Sequence, residues 1–337
     1  MTSTEATRET SRGGAGGSPA DVMGILLCVG IGLVVLVFEG QVAWVPGPLL
    51  AIAAGILLGR AFPPRLMIGA GLAATYLLRA GIVLLGLRLS IRQLGSVGAE
   101  ALLVIVPCIT AGLLVALLFA RVARLGGRLS LLLAVGTAIC GNSAIAVVAP
   151  SINASDDEVT AAITAVTAYG TVALFVFPLI GASLDLSARE LGTWIGTAVN
   201  DTSQVVGAAF SVSDRTGEFA TIVKLARNLF LIPAGIGAAW LGSRDAGSVF
   251  RLRSGMPWFV IAFVAAAAVA SLISLPEAWI DVVSQVSRGL ILAALAGIGM
   301  RSASLEANPR FFMPVAVGGA AGLVLAIVSF GLVQVIV

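Results

Sequence analysis

Two short polar stretches, Cys140-Gly141-Asn142-Ser143 and Asn200-Asp201-Thr202-Ser203, lie inside otherwise apolar runs, sixty residues apart. Shifting the chain by sixty brings Gly136, Thr137, Ala138, Ser143, Ala149, Ser151 and Glu158 onto identical residues at 196, 197, 198, 203, 209, 211 and 218. A helix crossing lipid gains nothing from such tetrads at its centre. A helix broken there exposes backbone N–H groups and the positive end of its second half, which suits an anion near the midplane. Gly136 and Gly141 permit the unwinding. Asn142 and Ser143 can cap the second half-helix and also bond a ligand. Thr137, Cys140, Asn200, Thr202 and Gln204 supply further groups to the same candidate substrate site.

Charge points the same way. Arg79, Lys224, Arg227 and Arg288 lie within apolar spans, whereas Asp201 is the acid clearly inside one. Placing a guanidinium in a bilayer costs about 2.5–3.5 kcal/mol on the mildest insertion scale. A bound anion would satisfy this surplus. Lys224, the sole lysine, stands three residues before Arg227, so the two share a helix face with Thr221 and Asn228. The expectation is that both cations hold the anion, Arg227 in bidentate fashion, with Arg79 nearby. Asp201 is expected either to pair with one of them or to carry a coupling proton.

These residues need a membrane framework. The chain has 337 residues, 58% hydrophobic and 11% charged, against roughly 25% charged in soluble domains. Eleven apolar segments fall near 22–38, 43–60, 66–87, 99–120, 129–150, 158–181, 191–212, 218–241, 256–275, 279–300 and 313–336, each about 17–25 residues long, enough to span a bilayer. The first carries no small-residue cleavage site and is read as a retained span. The forty glycines, including Gly55/Gly59 and Gly318/Gly322, suit close helix packing. Residues 1–20 are polar and read as a disordered cytoplasmic tail; 21–337 read as one transmembrane domain. With the N-terminus inside, thirteen Lys and Arg outside the spans face the cytoplasm, and Arg88, Arg92 and Arg215 face outward. The positive-inside rule then gives eleven spans in the inner membrane, with a periplasmic C-terminus.

Composition also excludes chemistry. There is no histidine, and Cys28, Cys108 and Cys140 form no metal or disulfide spacing. No phosphate loop is present, so the chain carries no ATP-driven motor. Nucleophile–base pairs are absent, which argues against an enzyme. The scattered arginines do not suggest nucleic acid, and no cofactor is expected.

The stretches LLRAGIVLLGLRLS (77–90), GTAICGNSAIAVVAP (136–150), NDTSQVV (200–206) and TIVKLARNLFLIP (221–233) resemble the UPF0324 bacterial membrane family, sulfate-exporter-like proteins. The resemblance runs from about 45 to 335. It implies an all-α polytopic transporter with discontinuous helices, of the cation/proton antiporter and bile-acid symporter type. Members commonly carry His at the position of Asn200 and a small residue at that of Asn142, so proton coupling here would fall to Asp201.

The resulting expectation is secondary export of a small oxyanion such as sulfate, sulfite or an organosulfonate. A proton or sodium coupling ion and a homodimer are further expectations; a cation/proton antiporter and an anion channel are the alternatives. Segments 5 and 7 run in the same direction, so their similarity is not an inverted repeat. An inverted candidate pairs GLR (86–88) with GMR (299–301). Either segment 7 or segment 10, the latter interrupted at Gly297-Ile298-Gly299, is expected to cross segment 5; in the second case segment 7 lines the pocket.

Overall fold

The structure is a computed structural model describing residues 18–38, 47–63, 66–89, 91–242, 258–273, 276–302 and 311–337. Among these residues every regular element is a helix. In chain order they are α1 (Pro19–Phe38), α2 (Gly47–Ala61), α3 (Leu66–Gly86), α4 (Ile91–Val122), α5a (Gly127–Cys140), α5b (Asn142–Ile152) and α6 (Asp156–Ser183). There follow α7a (Ala188–Ala198), α7b (Thr202–Phe210), α8 in two pieces (Asp214–Asn228 and Leu231–Gly242), α9 (Trp258–Leu272), α10 (Glu277–Ser302) and α11 (Phe312–Ile336). Seven of them contain stretches long and apolar enough to cross a membrane: α1, α3, α4, α6, α8, α10 and α11. The expected tail falls outside the described residues up to residue 17, and α1 begins at Pro19.

Local chemistry fixes several boundaries. Ser155 and Ser187 each form a reciprocal capping box, with Glu158 and Glu190, opening α6 and α7a. Ser213 caps α8 by accepting from the Thr216 N–H. Such caps satisfy N–H groups that a helix cannot pair internally.

The helices pack as two groups. In the first, α10 lies against α1, α2 and α3, and α9 lies against α3. In the second, α4, α5, α6, α7 and α8 gather with α11. Glycines set the close approaches within the first group. A Cβ on Gly55 would sit 2.2 Å from the Ala296 carbonyl oxygen, and one on Gly299 would sit 2.2 Å from that of Ile52. Gly297 faces the Ala70 carbonyl in the same way, at 2.5 Å. In the second group Gly322 receives the Tyr169 ring. Without a hydrophobic drive between helices in lipid, such van der Waals closeness is a main source of association. The main contacts between the groups are α7b with α2 and α10, and α9 with α4.

This corrects the expected interruption of segment 10. α10 is continuous from Glu277 to Ser302, and its glycines are there for packing rather than unwinding. The helices that break are α5 and α7.

Candidate functional site

α5a ends in a widened turn, Gly136–Cys140, in which the Gly141 N–H reaches back five residues to the Gly136 carbonyl. Gly141 itself has φ 61° and ψ −123°, a conformation open to glycine and strained for any side chain. α5b then starts at Asn142. In α7 the break is extended: Val199 and Asp201 have β-region dihedrals, and α7b starts at Thr202. The second halves thus begin sixty residues apart, the offset of the repeat. The two breaks meet. Asp201 N lies 3.5 Å from where a Cβ on Gly141 would stand, and Asn142 Nδ2 donates to Asp201 Oδ2 over 3.5 Å.

A broken helix leaves carbonyls at the end of its first half without partners. Lys224 and Arg227 take them. Lys224 Nζ donates to the carbonyls of Ile139 (3.0 Å), Val199 (2.9 Å) and Asn200. Arg227 donates from Nε to Ala138 O (2.9 Å), from Nη2 to Thr137 O (2.8 Å) and from Nη1 to Thr197 O. The Tyr169 hydroxyl donates to Gly322 O at 2.9 Å and lies 3.4 Å from Ala198 O. Both cations are 0% exposed, and they are the two largest fully buried side chains among the described residues. Each helix C-terminus carries roughly half a negative charge. Two such ends together with Asp201 therefore balance the two cations without a salt bridge. Lys224 and Arg227 were expected to hold the anion; in the structure each makes three hydrogen bonds to backbone carbonyls, and neither pairs directly with Asp201.

On the other side of the breaks lies a cavity of about 330 Å³. The second group supplies Asn142, Ser143, Thr164, Thr167 and Asp201 through Gln204; the first group supplies Thr75, Leu78, Arg79, Ile82, Phe259, Ile298 and Arg301. Asp201 caps α7b, accepting at Oδ1 from the Ser203 N–H (2.9 Å) and hydroxyl (2.5 Å). Thr167 donates to Asn142 Oδ1 (3.4 Å), and Gln204 Nε2 donates to Thr167 O (3.2 Å). Arg79 stacks near Phe259, its guanidinium carbon 5.5 Å from the ring centre. Among the described residues, neither Arg79 nor Arg301 meets a carboxylate. The cavity is thus walled by hydroxyls, two guanidinium groups and the opening turns of α5b and α7b, with one carboxylate.

Of the residues expected from sequence, Asn142, Ser143, Asp201, Thr202, Gln204 and Arg79 line this cavity. Thr137, Cys140, Asn200, Lys224 and Arg227 are buried behind it, and Gly141 forms the break. Ser203, in the second tetrad and aligned with Ser143, also lines the cavity, and sequence reasoning missed Thr167, Thr75 and Arg301. Thr75 lies in a second widened turn, Ala73–Leu77, which no glycine or proline announces. Arg288, expected as part of the surplus, instead pairs with Asp214 at 3.0 Å.

An all-helical chain with many apolar helices and two of them broken at one polar cavity belongs to the class of multi-pass membrane proteins. The sequence matches the family described as Conserved hypothetical protein 698 over residues 23–308. It is 34% identical over 290 residues to a UPF0324 membrane protein of Streptococcus pneumoniae, covering 83% of this chain and 86% of that one. It is 35% identical to the UPF0324 membrane protein TauZ of Paracoccus pantotrophus, covering 76% and 78%. A Streptococcus mutans relative is 30% identical and covers 92% and 95%. The chain belongs to the UPF0324 membrane protein family. No solved structure matches it.

Proposed function

We propose that this protein is a secondary transporter that carries a small oxyanion, such as sulfate, sulfite or an organosulfonate, across the inner membrane through the cavity at the two helix breaks. The observation that carries this reading is convergence. The N-terminal turns of α5b and α7b, Arg79 and Arg301 all border one polar space, and each favours negative charge. Irregular backbone at membrane depth is tolerated where it lines a cavity or is buried in protein. The family resemblance to antiporter- and symporter-type folds supports the same reading. Eleven spans with the N-terminus inside accommodate the described helices, counting the two parts of α5, of α7 and of α8 once each. In that orientation Arg301 lies at the cytoplasmic end of α10, and the cavity opens toward the cytoplasm.

Asp201 lies in the same cavity and supports a second reading, cation/proton antiport. Two guanidinium groups against one carboxylate weigh against it. The test is thermal unfolding of the purified protein with sulfate, sulfite and short organosulfonates, compared with chloride and with sodium. A ligand that binds the folded state alone raises its apparent stability. Stabilisation by an oxyanion that is lost in Arg79→Gln supports the proposal. Stabilisation by sodium alone favours antiport, and no response to any oxyanion overturns anion binding here.

A further inference from the structure

The cavity lies between the two helix groups, and a second feature joins the same groups elsewhere. Beyond the end of α3, Arg88 Nη2 lies 3.2 Å from Glu218 Oε1, and its Nη1 lies 4.0 Å from Asp214 Oδ2. Arg288 on α10 donates from Nη1 to Asp214 Oδ1 at 3.0 Å. Arg88 and Arg288 belong to the first group, and Asp214 and Glu218 to α8 in the second. Arg189 with Glu100 pairs α7a with α4 inside the second group. Among the described residues, the ion pairs that bridge the two groups are all in this cluster.

Its position is opposite the cavity. On α10, Arg288 precedes the cavity residue Ile298 by ten positions, about 15 Å along a helix. On α3, Arg88 lies beyond the cavity residues Thr75 to Ile82. Between the two levels stands an apolar seal of Leu85, Val206, Phe210, Leu292 and Leu295, all buried in one cluster. Behind the ion pairs sits a small pocket of about 150 Å³, lined by Leu85, Phe210, Ser287, Arg288 and Leu292 among others.

We propose that the Arg88/Arg288–Asp214/Glu218 cluster is a latch that holds the two helix groups together on the face opposite the cavity. The small pocket is then the closed counterpart of the cavity. Releasing the latch lets α3 and α10 part from α7b and α8, so that the seal around Phe210 opens from that face. The pairs are half-exposed (side-chain exposures of 22–42%), so each is weak enough to break within a transport cycle. Bistable contacts between rigid packed units are the usual carriers of such switching.

The latch can be tested without knowing the substrate, so its failure is separate from failure of the transport reading. Ser287 is buried at the pocket, and Ser287→Cys places a thiol there. Cys28, Cys108 and Cys140 are buried, and the parent protein gives their background labelling. In native membranes, a charged, impermeant maleimide applied from the Arg88 face should label Ser287→Cys slowly. Adding Asp214→Asn or Glu218→Gln should raise the rate by up to about fivefold, as expected when a partly exposed charge pair is removed from a two-state equilibrium. Equal rates in the parent and in both neutralised variants overturn the latch. Should one neutralised variant fail to accumulate, the other reads the same interface.

Discussion

Asn142 Nδ2 and Asp201 Oδ2 lie 3.5 Å apart, and through this contact the first residue of α5b faces the residue that caps α7b. The two breaks are one structure. On one side, the carbonyl ends of α5a and α7a converge on Lys224 and Arg227. On the other, the amide ends of α5b and α7b open onto the cavity. Charge of opposite sign is thereby sorted across a few ångströms of backbone.

Lys224 and Arg227 are expected to behave as structural residues. Lys224→Met removes the partner of three buried carbonyls, and Arg227→Gln shortens the reach to three more. Each unsatisfied buried group costs about 1–3 kcal/mol, so either variant should lose roughly 3 kcal/mol or more. The check is yield and thermal unfolding of the purified variants. Normal melting of Lys224→Met would refute the role assigned to it.

Gly141→Ala separates strain from crowding. The nearest atom to its added Cβ is Asp201 N at 3.5 Å, an ordinary contact. Its φ of 61° is what an L residue resists. A loss of about 1–3 kcal/mol is expected from the backbone alone, read as a lowered melting temperature. A Gly141→Ala protein as stable as the parent would mean that the break relaxes freely.

Asp201 has a capping role and an electrostatic one, and two substitutions divide them. Asn caps a helix about as well as Asp, whereas Ala costs about 1 kcal/mol. Asp201→Asn should therefore melt above Asp201→Ala, its remaining deficit against the parent being the charge that helps to balance Lys224 and Arg227. If Asp201 also carries the coupling proton, Asp201→Asn should fold well while its transport no longer responds to pH. Unchanged pH-dependent transport in a well-folded Asp201→Asn removes the coupling role.

Arg79 should matter for the anion and little for the fold. Its described contacts are the rings of Tyr76 and Phe259, worth about 0.5–1 kcal/mol at a partly exposed site. Arg79→Gln should unfold within a few degrees of the parent yet lose most oxyanion-induced stabilisation. An undiminished shift would place the anion elsewhere.

The sequence made the breaks legible because both consequences of a break are written in side chains: polar tetrads where apolar residues should run, and a glycine where the chain must turn. Asn142, Ser143 and Asp201 followed from that pattern. The partners of Lys224 and Arg227 did not, because free backbone carbonyls leave no mark on residue type. Counting side-chain charges made the two look like an unmet surplus. Gly297 and Gly299 misled for a related reason. Glycine serves unwinding and close packing alike, and the neighbouring helix, here α2 and α3, decides which. Arg301, counted with the loops, joined the cavity through the folding of α10 against α3.

The buried pair on α8 also constrains how the protein is made. Among the helices suited to spanning, α8 has the lowest mean hydropathy, 1.4, because it carries Lys224 and Arg227. With α10, at 1.5, it is among the long helices least suited to entering lipid alone. The carbonyls those cations require belong to α5 and α7, which precede α8 in the chain and are synthesised first. Insertion of α8 is thus expected to depend on neighbours already in place, which would make the order of the helices along the polypeptide part of the folding mechanism. A permuted gene that translates α8 before α5 should give a poorly inserted protein, although every contact in the finished structure would be the same.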